Sequence, residues 1–531
     1  MAAHTDITRK SVHLTIYFAA LCLFVVSLPS SRYFLTISEI LLIANWLAEA
    51  DFTTKFNKLR SDRAAMAFML IYIVNVIGLL WTQDIGYAFK NDLLHKSPTL
   101  FLPLIVATTP VPDTKKTRML LLLFISSVLV VSFIGFFSRV FQSDLFFREA
   151  SPFIPGLYLG MMLIIAAFQL PLLIKQMTGN KKYLYLSLAI SAWLIFFLFY
   201  LRALSGVASF VAVLIFLIVI FVVRAKGILL KISVPTVFIF LTGLAIWPMA
   251  GIYKQTHAET ATDFSTLERY TSLGTPYLHD TINNIRENGN LVYIYIADNE
   301  LRDAWNEKSD QDFDGNDLMN QELRATLYRY MSSRGLKKDR QGFAQLTGAD
   351  IKAIEEGTTN YLNLTRPGFY IRTYEEMMSL HVYYQSSRKV TSWGSLTKRI
   401  DVWRASWEAF KKHPALGWGT GSILKAVDYG IEKNGSTLSG LNMRPHNQFL
   451  YILLTLGLTG LIIIAALYVY FLVKIKAHES FMFILFLIVF LVNFTGNNSF
   501  ESQPGQDLFV FFSLFYAYFY PGLKKEPGFI Y

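Results

Sequence analysis

A histidine two residues after an arginine stands just before a long apolar run near the C-terminus. The sequence reads Arg444-Pro-His446-Asn447 and continues into an apolar segment that contains Gly457-Leu-Thr-Gly-Leu. An imidazole changes protonation near neutral pH, so a histidine at the boundary between water and membrane can accept the proton of an attacking hydroxyl group. The alternative is a loop histidine that only caps the helix entry. His446 is therefore a candidate general base.

Arginines around this histidine are candidates for binding an anionic leaving group. They are Arg399, Arg404 and Arg444. A guanidinium group binds phosphate oxygens through two parallel hydrogen bonds and needs no metal ion to do so. For Arg404 a second interpretation stays open, because Glu408 follows four residues later and can pair with it on a helix surface.

Two other patterns look like binding loops but lack the required spacing. The glycine-rich stretch 417–421 follows no predicted strand and has no phosphate-loop lysine, so we interpret it as a tight connection. The acidic stretch 310–314 begins like a calcium loop, yet its twelfth position is Gln321 instead of glutamate, which favours a solvated turn. We therefore predict no metal site.

The composition is that of a membrane protein. Of 531 residues, 53% are hydrophobic and 16% charged, whereas roughly a quarter are charged in soluble domains. The net charge of +11 is compatible with nucleic-acid binding, but membrane proteins also accumulate lysine and arginine in cytoplasmic loops. We predict no nucleic-acid partner. The single cysteine, Cys22, excludes an internal disulfide.

Twelve apolar runs are candidates for crossing a bilayer, whose hydrocarbon core of about 30 Å requires on the order of 20 residues per helix. They lie near residues 11–30, 33–50, 64–82, 98–111, 118–138, 153–174, 183–201, 204–223, 230–252, 448–473, 480–497 and 507–521. The run at 98–111 is short and bracketed by prolines, so a tilted or re-entrant helix is open there. The sequence predicts an all-α integral membrane protein with about 12 transmembrane helices.

Three regions follow from this pattern: an N-terminal membrane bundle at 1–252, a large polar loop at 253–446, and C-terminal membrane helices at 447–531. Basic residues concentrate in alternate short connections, near residues 9–10, 55–63, 115–118, 175–182, 224–231, 474–476 and 524–525. Such connections face the cytoplasm. Both termini are therefore predicted to be cytoplasmic and the large loop to lie outside the cytoplasm.

The large loop is predicted to be folded and mainly helical, because aromatic residues occur throughout it. Helices are expected at 299–309, 317–334, 347–356 and 397–412. Thr347 is the expected N-cap of the third of these, with Asp350 at the capping-box position.

Four motifs occur in the same order as in one family of bacterial membrane enzymes. They are Arg399-x-x-x-Trp403, Pro414-x-x-Gly-x-Gly-x-Gly, His446-Asn447-x-Phe-Leu, and Glu501-x-Gln503-x-Gly. With this arrangement the chain resembles the superfamily of O-antigen ligases and polymerases. It departs from the family at one point, since Leu204 stands where an arginine often precedes Ser-Gly, and the nearest arginine is Arg202. Arg202 either takes over that contact or is an interfacial arginine that reaches toward water.

The resemblance implies a metal-independent, cofactor-free glycosyltransferase in the bacterial inner membrane, surrounded by membrane lipids, with its large loop in the periplasm. Its donor would be a glycan linked to undecaprenyl diphosphate, and its acceptor lipid A–core. The hypothesis assigns catalysis to His446, Arg399 and Arg444. Binding of diphosphate or glycan is assigned to Arg202, Arg404, Asn447, Glu501 and Gln503.

Other functions remain open at this point. A polymerase of the same superfamily would use another carrier-linked glycan as acceptor, and an oligosaccharyltransferase would use a protein hydroxyl. A polysaccharide transporter or flippase belongs to a different class and would carry internal repeats or charged relays at mid-membrane, where Glu39 is the main charge that the sequence offers.

Overall fold

The computed structural model describes residues 2–141, 151, 153–201, 203–256, 263–282, 285–366, 368–385 and 394–520. Most of these residues are helical, which confirms the predicted helical class. The chain forms two compact units. The first comprises Met1–Lys231 and Asp401–Tyr531, and the second comprises Ile232–Ile400. The predicted region boundaries at 252 and 446 concern membrane sidedness and stay predictions.

The N-terminal part of the first unit is a series of helices, most of them apolar. They are α1 (Ala2–Ser30), α2 (Arg32–Glu49), α3 (Phe52–Ser61), α4 (Arg63–Ile77), α5 (Ile85–Tyr87), α6 (Leu94–Lys96), α7 (Pro98–Thr108), α8 (Thr114–Phe141), α9 (Gly156–Met177), α10 (Lys181–Tyr200) and α11 (Leu204–Arg224). A 3-10 turn at Gly78–Trp81 extends α4, and a π-helical turn at Ala88–Leu93 joins α5 to α6.

The middle of the chain begins with the long helix α12 (Ile228–Thr256). After it come a 3-10 turn (Phe264–Thr266), the antiparallel strands β1 (Arg286–Glu287) and β2 (Asn290–Leu291), and the helices α13 (Asp298–Asn306), α14 (Leu323–Ser333), α15 (Arg340–Phe343), α16 (Gly348–Glu355), α17 (Leu362–Thr365) and α18 (Gly368–Gln385). Helix α19 (Ser395–Lys412) leads back into the first unit.

The chain ends with the helices α20 (Ile423–Lys433), α21 (Gln448–Lys474), α22 (Phe481–Gly496) and α23 (Gln503–Leu514). Short 3-10 turns at Ala477–Glu479 and Ser499–Glu501 separate the last three, and a π-helical turn at Phe515–Phe519 extends α23.

Each of the twelve predicted apolar runs coincides with a helix. Within the described part of the chain, eight helices are long and apolar enough to cross a membrane, or nine if α2 and α3, bent by 113°, form one span. Helices α7, α22 and α23 are shorter than this criterion requires. A multi-pass membrane protein is therefore supported, while the count of twelve stays a prediction.

Helix α9 lies at the centre of the first unit. Its most apolar stretch is 72% buried, against 44% or less for the other candidate spans, and it packs against α8, α10, α11 and α22. Helix α23 is also enclosed, and its phenylalanines contact those of α22, as in the pair Phe490 and Phe509 with ring centroids 5.1 Å apart. Aromatic burial of this extent dominates the packing energy of a core.

The second unit has its own hydrophobic core, which includes Trp305, Phe313 and Leu327. The predicted capping box is confirmed, because Thr347 and Asp350 exchange hydrogen bonds at the start of α16. Helix α14 begins later than predicted, at Leu323, because the Asp317 carboxylate accepts backbone hydrogen bonds from its own turn and so stabilises a non-helical conformation. Helices α18 and α20 were not predicted.

Helix α21 is broken at Gly457, whose φ of 66° and ψ of −170° suit only glycine. The break removes the two hydrogen bonds that Leu458 and Thr459 would donate to Leu454 and Thr455. Residues 414–421, the glycine loop, replace them. Leu458 N donates to Pro414 O at 2.9 Å and Thr459 N donates to Ala415 O at 3.1 Å.

The two carbonyl groups left by the break are satisfied by the same loop. Trp418 N donates to Leu454 O at 2.7 Å, and Gly419 N donates to Thr455 O at 2.9 Å. A Cβ atom on Gly457 would lie 2.2 Å from Ala415 O. The backbone of the loop therefore lies directly in the break, at a distance that excludes a side chain.

The other side of the glycine loop contacts the end of α4 and the turn that follows it. Thr420 N donates to Gly78 O at 3.1 Å, and the Thr420 hydroxyl donates to Asn75 O at 2.7 Å. Gly421 N donates to the Asp92 carboxylate at 2.8 Å. The loop thus joins α21 to the segment between α4 and α7.

We expect Gly457→Ala to destabilise the protein by more than about 2 kcal/mol, because alanine is strained at this φ and its methyl group collides with backbone. The measurement is the unfolding midpoint of the purified protein in detergent. Gly179→Ala is the control, since a Cβ there would meet nothing within 4 Å. Equal midpoints for the two variants would contradict this role of the break.

Candidate active site

The turn that carries His446 is held by a tryptophan of α19. Trp403 Nε1 donates a hydrogen bond of 2.6 Å to Pro445 O. His446 itself is exposed and has a φ of 46°, in the left-handed region, where histidine is one of the more tolerant residues. Trp403 belongs to one of the predicted motifs, and its hydrogen bond fixes the backbone from which the imidazole projects.

Asn447 caps α21 directly after this histidine. Its side-chain oxygen accepts a hydrogen bond from Leu450 N at 3.0 Å, and its Nδ2 donates to Thr495 O at 3.0 Å near the end of α22. Both ends of the amide are therefore engaged in holding the start of α21 against α22.

Arg444 lies on the other side of Pro445 and is half-buried. Its guanidinium carbon is 5.8 Å from the centroid of the Tyr87 ring, within the range of a cation–π interaction. Burial and the carboxylates Asp92 and Glu501 raise the pKa of Tyr87, whereas Arg444 acts in the opposite direction. Arg444 therefore lies within electrostatic range of a group of buried charges behind Tyr87.

A buried lysine lies between two carboxylates in this group. Lys96 Nζ is 3.1 Å from Glu501 Oε1 and 5.0 Å from the centroid of the Tyr451 ring. The Tyr451 hydroxyl donates to Asp92 Oδ1 at 2.5 Å, and the other oxygen of Asp92 accepts the bond from Gly421 N. We call Tyr87, Asp92, His95, Lys96, Arg444 and Glu501 the charged cluster.

Burial acts in opposite directions on the pKa values of Lys96 and Glu501, the two members of the ion pair. Burial alone would lower the pKa of Lys96, but Asp92 and Glu501 outweigh it and hold the pKa above its usual range. For Glu501, burial and the nearby Asp92 outweigh the attraction of Lys96 and raise the pKa to about 7. One cation cannot fully compensate two buried carboxylates, so Glu501 titrates near neutral pH.

His95 is a second imidazole of the charged cluster. Its Nδ1 lies 2.5 Å from Asn91 O, so this nitrogen carries the proton and donates to the carbonyl group. Burial, opposed by this bond and reinforced by Lys96, lowers the pKa of His95 below its usual value. Its Nε2 is therefore protonated less readily than that of an exposed histidine.

Gln448 connects the carboxylate end of the cluster to α21. Its Nε2 lies 3.4 Å from Glu501 Oε1, and its Oε1 accepts a hydrogen bond of 2.9 Å from Phe500 N. Gln503, two residues after Glu501, donates to the Thr36 hydroxyl at 2.9 Å and to Glu39 at 3.2 Å. The segment 499–503 is thus held by side chains from α2, α6 and α21.

The remaining predicted site residues lie elsewhere. Arg404 is a half-buried residue of α19, and Glu408 forms ion pairs with Lys411 and Lys433 at 2.7 and 3.4 Å. Arg399 is on the same helix, one turn before Trp403, but belongs to the second unit. Arg202 lies outside the described residues.

Sequence reasoning missed Tyr87, Asp92, His95 and Lys96 as members of the site. The available signal was the polar pair His95-Lys96 directly before an apolar run that starts at a proline. Ionisable residues at the end of a membrane helix usually extend toward water, and only the packing of segment 499–503 on α6 reveals that Lys96 is buried and His95 half-buried.

We expect Lys96→Met to destabilise the protein by about 3–5 kcal/mol, because it leaves Asp92 and Glu501 buried without a cation. The double variant Lys96→Met/Glu501→Gln is the matched control and should recover part of this loss, since Asp92 keeps its bonds from Tyr451 and Gly421. The readout is the unfolding midpoint in detergent. A single variant as stable as the unmodified protein would contradict the assigned ion pair.

Comparison with known proteins identifies one segment of the chain. Residues 364–465 match the family model described as O-antigen ligase, and this segment includes α19, the glycine loop, Arg444, His446 and the broken part of α21. No curated protein gives a significant match to the chain. The match at 364–465, within a protein of many apolar helices, confirms the resemblance of this chain to the superfamily of O-antigen ligases and polymerases.

Proposed function

We propose that this protein is an O-antigen ligase, which transfers a glycan from undecaprenyl diphosphate to a lipid A–core acceptor at the periplasmic face of the bacterial inner membrane. The family match supports an enzyme of the ligase and polymerase type in general. The choice of ligase depends on the His446-Asn447 motif at the end of the large loop.

One observation carries the proposal: an exposed imidazole and a half-buried guanidinium group flank the same proline. Arg444 and His446 are two residues apart, so their Cα atoms are within about 7 Å of each other. Trp403 holds the peptide between them through Pro445 O. A candidate base for the acceptor hydroxyl and a candidate anion-binding group for the leaving diphosphate are therefore available side by side.

In the proposed step, the oxygen of an acceptor hydroxyl group attacks the anomeric carbon of the donor sugar. His446 accepts the hydroxyl proton as the new glycosidic bond forms. The bond between the anomeric carbon and the phosphate oxygen breaks, and its electron pair leaves with undecaprenyl diphosphate. Guanidinium groups stabilise the negative charge that develops on that oxygen. The broken sugar–phosphate bond supplies the driving force, so no nucleotide is consumed.

The two cations of the charged cluster, Lys96 and Arg444, have different partners. The charge of Lys96 is taken up by Glu501 and Asp92, whereas Arg444 contacts the ring of Tyr87. We therefore assign diphosphate binding to Arg444, with Arg399, Arg404 and Arg202 as further candidates. Glu501 and Gln503 act in this proposal by holding segment 499–503, and Asn447 acts by fixing the start of α21.

Lipopolysaccharide profiles of a deletion strain test the choice of acceptor. Loss of a ligase leaves bare lipid A–core, whereas loss of a polymerase leaves core that carries one repeat unit. If the deletion strain shows only core that carries a single repeat unit, the protein is a polymerase and not a ligase. An unchanged profile would argue against both.

We expect His446→Ala to reduce glycan transfer by roughly a hundredfold or more, because the step loses its proton acceptor. The measurement is transfer from a purified lipid-linked donor, with membrane insertion checked in parallel. His478→Ala is the control, an exposed histidine beyond the other end of α21. His95→Ala distinguishes the two imidazoles of the site. Full activity of the His446 variant, or a larger loss in the His95 variant, would refute the assignment of the base.

We expect Arg444→Gln to reduce transfer by roughly a hundredfold, because one charged donor to the leaving diphosphate is removed. The transfer activity of Arg444→Lys should lie between those of Arg444→Gln and the unmodified enzyme, since an ammonium group keeps the charge but cannot form two parallel hydrogen bonds to one phosphate. Arg224→Gln, an exposed arginine at the end of α11, is the control. Equal activities of the Lys and Gln variants would show that charge at this position is irrelevant to the reaction.

A further inference from the structure

A basic pocket of about 480 Å³ lies where α3, α4, α7 and α21 come together. Its cations are Lys58, Arg63 and Lys474, and all three are exposed. Ser61 adds a hydroxyl group, and small apolar side chains from α4 and α7 complete the wall. The pocket therefore combines three positive charges with a partly apolar surface.

The lining contains one carboxylate, that of Asp62, against three cations. Asp62 Oδ1 accepts a hydrogen bond from Ala65 N at 2.9 Å, which caps α4. Its Oδ2 accepts a hydrogen bond of 2.8 Å from the Tyr518 hydroxyl. With three cations and one carboxylate, the lining keeps a net positive charge. The N-terminal end of the α4 dipole adds to it.

The pocket and the glycine loop lie at opposite ends of α4 and its 3-10 extension. Helix α4 and its 3-10 extension span 19 residues from Arg63 to Trp81, or about 28 Å at 1.5 Å per residue. One end lines the pocket and the other contacts the glycine loop. Helix α21 likewise connects the two sites. Gln448 at its start contacts Glu501, and Lys474 at its end lines the pocket.

The three cations lie at the depth in the membrane where the phosphate groups of lipids are found. A hydrocarbon core is about 30 Å thick, so a pocket 28 Å from the opposite face lies at the level of the headgroups. Basic pockets between membrane helices bind anionic headgroups through charge, while the acyl chains follow the apolar helix surfaces. A soluble phosphate ion shares the charge but gains nothing from the neighbouring apolar helices.

We propose that Lys58, Arg63 and Lys474 bind the phosphate headgroup of an anionic membrane lipid at the face opposite the candidate active site. The lipid tails lie along α4 and α21. This site is independent of the glycosyl transfer reaction proposed above, because it uses none of the residues assigned to that reaction.

The test uses the full-length protein in detergent, with phosphatidylglycerol, phosphatidylcholine or inorganic phosphate as the added probe. Bound lipid is counted by native mass spectrometry, and the unfolding midpoint is recorded for each probe. The pocket variant is Lys58→Gln/Arg63→Gln/Lys474→Gln. The control variant, Lys181→Gln/Lys182→Gln/Arg224→Gln, removes three exposed cations from connections predicted to lie on the same face.

We expect phosphatidylglycerol, but not phosphatidylcholine, to bind and to raise the midpoint of the unmodified protein. The pocket variant should bind it at least tenfold more weakly, given a factor of roughly five per cation near an anionic lipid, and the control variant should bind it as before. Equal losses in both triple variants, or stabilisation by inorganic phosphate equal to that by phosphatidylglycerol, would overturn the proposal. If the triple variant does not fold, Arg63→Gln alone must weaken binding, and unchanged binding would overturn it too.

Discussion

The exchange of hydrogen bonds between the broken helix α21 and the glycine loop is the constraint on which the site depends. A helix interrupted in an apolar environment leaves donors and acceptors that water cannot satisfy, at a cost of several kcal/mol for each group. Here the two free N–H groups and the two free carbonyl groups at Gly457 all find partners in residues 414–419. The loop can approach closely enough to make these bonds because glycines, Gly417 and Gly457, face each other at the contact and have no side chains.

This contact extends into the charged cluster through Asp92. The carboxylate accepts bonds from Gly421 and from Tyr451, so it joins the glycine loop to α21 a second time. Lys96 then connects it to Glu501. Buried charges are tolerated when they are paired and hydrogen-bonded, and the pairing here depends on the position of the loop. The glycine loop that closes the break in α21 therefore also positions the buried charges near Arg444.

The family motifs divide into a structural and a chemical part. Glycines of the loop, Trp403 and Asn447 are used to position backbone, through the broken helix, Pro445 and the start of α21. His446 is exposed, and only Pro445 separates it from Arg444 in the chain. Such a division is expected of an active site, because reacting groups are effective only when neighbours that do not themselves react hold them in place.

The sequence by itself determined the helical membrane class, the positions of the apolar runs, the capping box at Thr347 and the family resemblance, because hydrophobic length and local hydrogen bonding are properties of short segments. It also singled out His446 and Arg444, which lie in one continuous motif. The partners of Lys96 were decided only by the tertiary structure, since Asp92, Tyr451 and Glu501 come from segments up to several hundred residues apart. The same holds for the glycine loop, whose purpose is visible only beside the break in α21. Contacts between distant segments depend on packing, and no local pattern encodes them.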